Sequence, residues 1–290
     1  LDSIENQTYS NWHLIVRDDG SKDDTLEILK TFKEKFPNKV TVVNDGKPSG
    51  CAKNNFFELM HYSTNKYISC CDQDDIWLQN KIEIMYQEIK QLENKYSNDV
   101  PLLVYSDLYV VDQDMNIIDD SFFNYSLFNK NATCINNFLI ENYVTGCAMM
   151  FNNSLKEYML KNYDLIMHDW LAALIAYSFG HAKFLNIPLV KYRQHGDNSV
   201  GANSPKKISN LISNAKKGFK FARKVVTNTY DQVEEFYRIN RLEINKRGLT
   251  IIKEYANMKN KSKVKRLIFY KKNGIKKIGL IRKIWLIVFG

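Results

Sequence analysis

The sequence is short of the residues that mark several protein classes. Five prolines and twelve glycines in 290 residues exclude a collagen-like or Pro/Gly-rich disordered chain. Cysteine is scarce and badly placed for cross-linking: Cys51, Cys70, Cys71, Cys134 and Cys147 are odd in number and lack a CxxC spacing. Cys70 and Cys71 adjoin, so along a strand their side chains leave on opposite faces. This argues against a disulfide framework or a zinc site, and for a reducing compartment. The start shows no succession of basic, apolar and small residues, so no secretory signal is visible. The final apolar run, "IWLIVF", is far too short to span a bilayer. Acidic residues nearly vanish from the last third. Residues 201–290 hold 23 Lys and Arg against 5 Asp and Glu, a net +18. Residues 1–200 hold 18 against 27, a net −9, so the overall +9 conceals a division between two tasks.

What is present is globular material, 44% hydrophobic and rich in Tyr and Phe, enough for one large α/β domain or two smaller ones. The acidic part alternates strand and helix. "HLIVR" (13–17), "KVTVV" (39–43), "KYISCC" (66–71), "PLLVYSD" (101–107) and the later "IPLVKY" read as strands. Residues 24–36, "AKNNFFELMHY" and "LQNKIEIMYQEIKQLENKY" read as helices between the earlier ones. That alternation implies a largely parallel sheet covered on both faces, with ligands binding beyond the carboxyl ends of its strands. Two acidic clusters, "RDDGSKDD" and "CDQDDIW", lie at such ends and should face one crevice.

Asp72 and Asp74 stand at i and i+2, where they repel each other unless a cation sits between them. Mg²⁺ or Mn²⁺ takes one or two carboxylates together with substrate phosphate oxygens, so D-x-D at a strand end suits a metal–diphosphate clamp. The plainer reading is an acidic first turn for the following helix, which would account for Asp75 as well. In the first cluster, Gly20 permits a tight turn and Ser21 or Asp23 can cap a helix. Asp18 and Asp19, directly at the strand end, are left to accept hydrogen bonds from a pyrimidine base or ribose.

Five segments, "VRDDGSKDDT", "CDQDDIWLQNKIE", "VTGCAMMFN" (144–152), "HDWLAALIAYSFG" (168–180) and "YRQHGDNSVGA" (192–202), occur in the order found in family 2 glycosyltransferases. Over about the first 200 residues the chain resembles that family, and most of all its bacterial rhamnosyltransferase-like branch. The resemblance implies the GT-A fold: an α/β architecture with a mostly parallel sheet between helices. It implies sugar transfer from a nucleotide diphosphate, with dTDP-rhamnose favoured over UDP-hexoses, and inversion at the anomeric carbon. By matching motif, Asp18, Asp19, Asn55, Asp72, Asp75 and Arg193 would meet the nucleotide sugar, and Asp74, Asp72 and His195 would hold Mg²⁺ or Mn²⁺. Asp169 would be the general base, with an ordinary helix cap as its plainer reading. Gly146, His168 and Trp170 would lie on the acceptor side; a bulge is the plainer reading of Gly146. His13, His61 and His181 read as structural. The family normally opens with an apolar strand before a helix ending "LxSIxxQTY". This chain begins at "LDSIENQTYSNW", so it reads as a fragment lacking that strand.

The expected organisation is a catalytic domain over 1–204 and a basic, mainly helical region over 205–290. "ISNLISNAKKGFKFARKVV" and "IKKIGLIRKIWLIVFG" mix Lys and Arg with Ile, Leu, Phe and Trp at near-helical spacing, which suits the headgroup plane of an anionic membrane. Trp285, Leu286, Ile287 and Phe289 are the residues expected to enter the acyl boundary. The competing reading is a basic helical bundle packed on the catalytic domain. Nucleic acid is not expected as a partner, because no binding module for it appears. The chain is therefore read as an enzyme extending a lipid-linked surface glycan from the cytoplasmic face of the membrane. A non-catalytic nucleotide-sugar or nucleic-acid binding relic of the same fold is the alternative.

Overall fold

The computed structural model describes residues 1–164, 167–194, 215–243 and 246–289. A short helix α1 (Asp2–Glu5) leads to β1 (Leu14–Arg17), α2 (Thr25–Lys35), β2 (Val40–Val43) and α3 (Ala52–Tyr62). Then come β3 (Tyr67–Ser69), β4 (Ile76–Trp77), α4 (Lys81–Tyr96), β5 (Leu102–Val111) and β6 (Ile117–Asp119). Helices α5 (Phe122–Tyr125) and α6 (Ile135–Phe138) precede a 3₁₀ turn (Gly146–Ala148), β7 (Met149–Asn152), α7 (Asn153–Met159), α8 (His168–Phe179) and β8 (His181–Arg193). The C-terminal region supplies α9 (Ala215–Asn240), α10 (Lys246–Ala256), a 3₁₀ turn (Asn257–Asn260), α11 (Lys263–Lys272) and α12 (Leu280–Phe289).

The mixed α/β architecture is the expected one, but the strand directions correct the expectation of a largely parallel sheet. β1 and β2 form their own parallel pair. Among the described residues the larger sheet runs β3-β7-β5-β8-β4, with β6 on β5, and within it only β5 and β8 are parallel. Parallel pairing occurs where a helical connection carries the chain back to its starting end, as α2 does between β1 and β2. β7 instead leaves the 3₁₀ turn running against both of its neighbours. Pro188 in β8 falls at a register shift against Asp107, a place where the ladder can lose its N–H.

β5 organises the core because its side chains alternate between two apolar layers. Leu102 and Val104 pack with Met85 and Ile89 of α4 and with Leu185 and Leu189. Leu103 and Tyr105 face α8, whose Leu171–Ala176 are all fully buried. The same layer includes Val226, Tyr230, Val233 and Phe236 of α9, Phe269 and Tyr270 of α11, and Leu286 of α12. This corrects one membrane assignment: Leu286 is a core residue, because α12 turns that face toward the catalytic part. Ile287 is exposed, and the side chains of Trp285 and Phe289 lie outside those described. Among the described residues no helix is long and apolar enough to cross a membrane.

Candidate active site

The acid-rich segment forms the turn between β3 and β4, and β4 pairs with β8 beside it through Trp77 and Val190. The backbone N–H of Arg193, at the end of β8, donates to Asp75 Oδ1 at 3.1 Å. Asp75 is buried, and burial is the main cause that pushes its carboxyl up to about 7. Asp72 is half-buried and is pushed up to about 6, first by burial and then by the charge of Asp74. Cys147, from the 3₁₀ turn before β7, places its thiol between these acids. Its Sγ and carboxylate oxygens of Asp72 and Asp75 all lie within 4.8 Å of one another. Burial, then the charges of Asp75 and Asp72, hold that thiol well above its ordinary range and therefore protonated. The carboxylates of Asp72 and Asp75, kept from ionising first by burial, are hard oxygen donors that fit Mg²⁺ or Mn²⁺, whereas the protonated Cys147 thiol is not a ligand for such an ion.

Asp169 lies near enough to Asp72 for their charges to interact. It stands in the first turn of α8, accepts the Trp170 N–H at 2.7 Å, and also accepts the Gly146 backbone N–H. Burial, with the charge of Asp72 opposing ionisation, raises its carboxyl to about 7. His168 beside it is buried against Phe56, with ring centroids 4.4 Å apart. Neither ring nitrogen has a hydrogen-bond partner among the described residues, and burial lowers the imidazole to about 4, so the ring is neutral at physiological pH. Trp170 turns its indole N–H to the Phe138 carbonyl at 2.7 Å, fixing the segment that leads to Gly146. Asp72, Asp74, Asp75, Gly146, His168 and Asp169 thus converge from three chain segments.

The other cluster is held by internal bonds. Asp18 closes its own loop, accepting from the Ser21 hydroxyl and from the N–H groups of Gly20 and Ser21, both at 3.0 Å. Asp19 accepts the Ser49 N–H and Arg17 Nη1, the latter at 3.2 Å. The Ser21 hydroxyl lowers the carboxyl of Asp18, and the Ser49 N–H that of Asp19, so both are ionised. Asn55 accepts from Arg17 Nη1 at 2.8 Å, and Asp45 receives Nε and Nη2 at 3.1 and 3.0 Å. Arg17 is buried and joins the ends of β1 and β2 to the start of α3. Beside it opens a polar cleft of about 650 Å³, running past Lys47, Ser49 and Asn54 along α3 to Lys161 and Tyr163. None of the acids 72–75 lines that cleft.

Four of these residues escape a reading of the sequence. Arg17 looks like the charged end of a strand and is the hub of the first cluster. Cys147 sits within "VTGCAMM", where glycine draws the attention. Tyr192 is half-buried, with the charges of Cys147, Asp75, Asp72 and Asp74 acting on it, and its hydroxyl is raised first by burial and then by those neighbours. Lys81 reads as the exposed start of an amphipathic helix but is fully buried. Its Nζ lies 3.3 Å from the centroid of the Trp77 ring, without a hydrogen bond, and burial lowers it to about 8. A lysine stem can lie along apolar surface anywhere, so residue type carries no signal of this. His195 lies outside the described residues.

Comparison with known proteins follows the same lines. The family described as Glycosyl transferase family 2 matches residues 1–159. The dTDP-rhamnosyl transferase RfbG of Shigella flexneri is 26% identical over 216 residues, 70% of this chain and 70% of that protein. An Escherichia coli protein, the UDP-Glc:α-D-GlcNAc-diphosphoundecaprenol β-1,3-glucosyltransferase WfgD, is 23% identical over 205 residues. That match covers 70% of this chain and 65% of WfgD. Among solved structures, residues 1–349 of S. aureus TarS in complex with UDP-GlcNAc superpose with a TM-score of 0.53 at 13% identity, covering 94% of this chain and 83% of that one. The architecture is the GT-A fold, and the chain belongs to glycosyl transferase family 2.

Proposed function

We propose that this chain is an inverting glycosyltransferase that moves a sugar, rhamnose first among the candidates, from a nucleotide diphosphate to a hydroxyl of a lipid-linked glycan. The observation that carries the reading is the approach of Asp169 to the D-x-D acids across one partly buried site, with its carboxyl raised to about 7. A general base is most effective with a pKa near the working pH. In the forward step the anomeric carbon's bond to the diphosphate oxygen breaks as its bond to the acceptor oxygen forms. Asp169 accepts the proton that the hydroxyl loses, which requires it to be ionised. Attack opposite the leaving group gives inversion.

Asp72 and Asp74 are the residues that would hold a divalent cation; in the structure a carboxylate oxygen of Asp72 lies within 4.8 Å of one of Asp75 and of the Cys147 sulfur. When bound, that ion supplies positive charge against the departing diphosphate. Arg193, at the end of β8, and His195, two residues later in the sequence, are proposed on the diphosphate side. Asp18, Asp19 and Asn55 are proposed for the nucleoside, with Arg17 fixing two of the three. Gly146, His168 and Trp170 form the acceptor wall. Rhamnose is supported by the name of RfbG, glucose by that of WfgD, and a diphosphoundecaprenol-linked acceptor by the latter. An acceptor of that kind places the enzyme at the inner face of the cell membrane.

The test is transfer of labelled sugar from dTDP-rhamnose and from UDP-glucose to a short lipid-linked acceptor, with and without Mg²⁺ or Mn²⁺. The reading expects cation-dependent transfer from one of them that is lost in Asp74→Asn. Transfer insensitive to Asp74→Asn and to chelation would overturn the clamp, and transfer unaffected in Asp169→Asn would overturn the base.

A further inference from the structure

The two C-terminal helices α11 and α12 each bury one face and leave aliphatic side chains on the other. On α12 the roll is fixed by Arg282, whose Nη1 donates to the carbonyls of Ser126 and Leu127 at 2.8 and 3.1 Å. Its guanidinium lies 5.5 Å from the Phe128 ring centroid and pairs with the buried Glu141. Lys277 reaches the same carboxylate at 3.6 Å, and Leu286 continues the buried face into the core. Ile284, Ile287 and Val288 then fall together on the outside, at i, i+3 and i+4, with Ile284 47% and Ile287 54% exposed. Lys283 is exposed beside them. Helix α11 follows the same plan. Phe269 and Tyr270 are buried, while Val264 and Ile268, one turn apart, are 66% and 62% exposed among the exposed Lys265, Lys271 and Lys272.

An aliphatic stripe edged with lysines admits few occupants. A second copy of the same face would bring like charges together, in a region whose net charge is +18 over residues 201–290. An anionic bilayer satisfies both components: the aliphatic side chains enter below the headgroups, and the lysine stems follow them while their ammonium groups stay at the phosphates. We propose that the outer faces of α11 and α12 dock on an anionic lipid surface through Val264, Ile268, Ile284, Ile287 and Val288. Because the inner face of α12 is clasped to Glu141, docking of its outer face holds the rest of the chain at the bilayer. The use of that placement rests on the glycosyltransferase reading; the docking itself does not.

The experiment is co-sedimentation with vesicles of phosphatidylglycerol and phosphatidylcholine, against phosphatidylcholine alone, at low and high salt. The chain should bind the anionic vesicles and lose them as the Debye length shrinks from roughly 30 Å at 0.01 M to roughly 3 Å at 1 M salt. Ile284→Ser/Ile287→Ser and Val264→Ser/Ile268→Ser should each lower the partition coefficient more than tenfold, since each removes two large buried apolar groups from the bound state. These positions are exposed, so circular dichroism and melting temperature should be unchanged. Asp169→Asn should bind like the parent, so a failure of sugar transfer and a failure of docking are read separately. Parent protein that ignores anionic vesicles at low salt, or serine variants that still bind, would overturn the proposal. Sedimentation equilibrium showing a dimer abolished by the same variants would also overturn it, by assigning the face to a second copy.

Discussion

Gly146 and His168 touch so closely that a Cβ at position 146 would stand 2.6 Å from His168 Nε2. The imidazole has little room to retreat, because it is buried with the Phe56 ring on it. Gly146 also donates its N–H to Asp169, the next residue of α8. Glycine is therefore required here for close approach, not for an unusual backbone angle. Gly146→Ala should force the start of α8 outward, destabilise the protein by about 1–3 kcal/mol and lower sugar transfer well over tenfold. Adding His168→Ala, which empties the contested space, should recover part of the melting temperature. Gly146→Ala with unchanged transfer would show that the wall yields without consequence.

The raised carboxyl of Asp169 fixes the direction of a pH profile. In the proposed role Asp169 works only when ionised, and its pKa of about 7 means the active form is lost as pH falls through neutrality. Transfer measured from pH 5 to 9 should show an acid limb near 7. Asp169→Asn should lower kcat by about 10²–10⁴-fold, with nucleotide affinity nearly unchanged, and the limb should disappear. A mutant that keeps most of its kcat would reduce Asp169 to a helix-start residue.

Asp72 and Asp75 make a second pH dependence, in stability. Their carboxyls stand at about 6 and about 7 in the folded chain, above the ordinary aspartate value of 3.8. Between those limits the folded state binds more protons than the unfolded one. The associated stability is full below about 4 and is lost as pH rises through 6 to 7. In chelator, melting temperature should therefore fall across that window, and Asp75→Asn should flatten the fall. Mn²⁺ at neutral pH should restore several degrees, because the cation compensates the charge of the buried carboxylates and binds the folded state. A melting temperature that ignores the cation would separate this cluster from metal binding.

Local order was readable in the residues where pattern and environment agree. The apolar, β-branched run 39–43 became β2, and "AKNNFFELMHY" is α3 to the residue. The sequence reading ends the strand at Asp107, a residue of low strand propensity, whereas in the structure β5 continues to Val111. Asp107 is accommodated by the N–H groups of Leu108 and Phe123, at 2.8 and 3.1 Å, and by the Ser121 hydroxyl at 2.5 Å. Those partners lie up to sixteen residues away, beyond any local pattern. Strand direction was unreadable for a similar reason: β7 runs antiparallel because of how the 3₁₀ turn before it is packed. Lys81 and Arg17 show the limit most plainly, since each is a charged residue whose burial depends on neighbours from distant segments. The acids 72–75 and Asp169 form a set in the sequence only through the family resemblance; the structure brings Asp169 within reach of the charge of Asp72, and their chemical roles are those proposed for them.

The clasp between Glu141 and the pair Lys277 and Arg282 gives the most demanding prediction about how the basic region relates to the rest. All three side chains are largely buried, and Arg282 is lowered to about 10 and Lys277 to about 8 by that burial. Removing the anion leaves two cations without their counter-charge, which is costlier than never burying them. Glu141→Gln should therefore cost about 3–5 kcal/mol in urea unfolding. Glu141→Leu/Arg282→Met should recover a large part of that loss, because the double change removes charge from both sides. The core layer of β5 and α8 is shared with α9, α11 and α12, so both variants should unfold in one transition. Cutting the chain after residue 204 should expose Tyr163 and Phe179, which pack on Phe236, and yield an aggregating product instead of a free catalytic domain. A soluble truncated chain with a cooperative melt would show that the helices are an addition to a finished core.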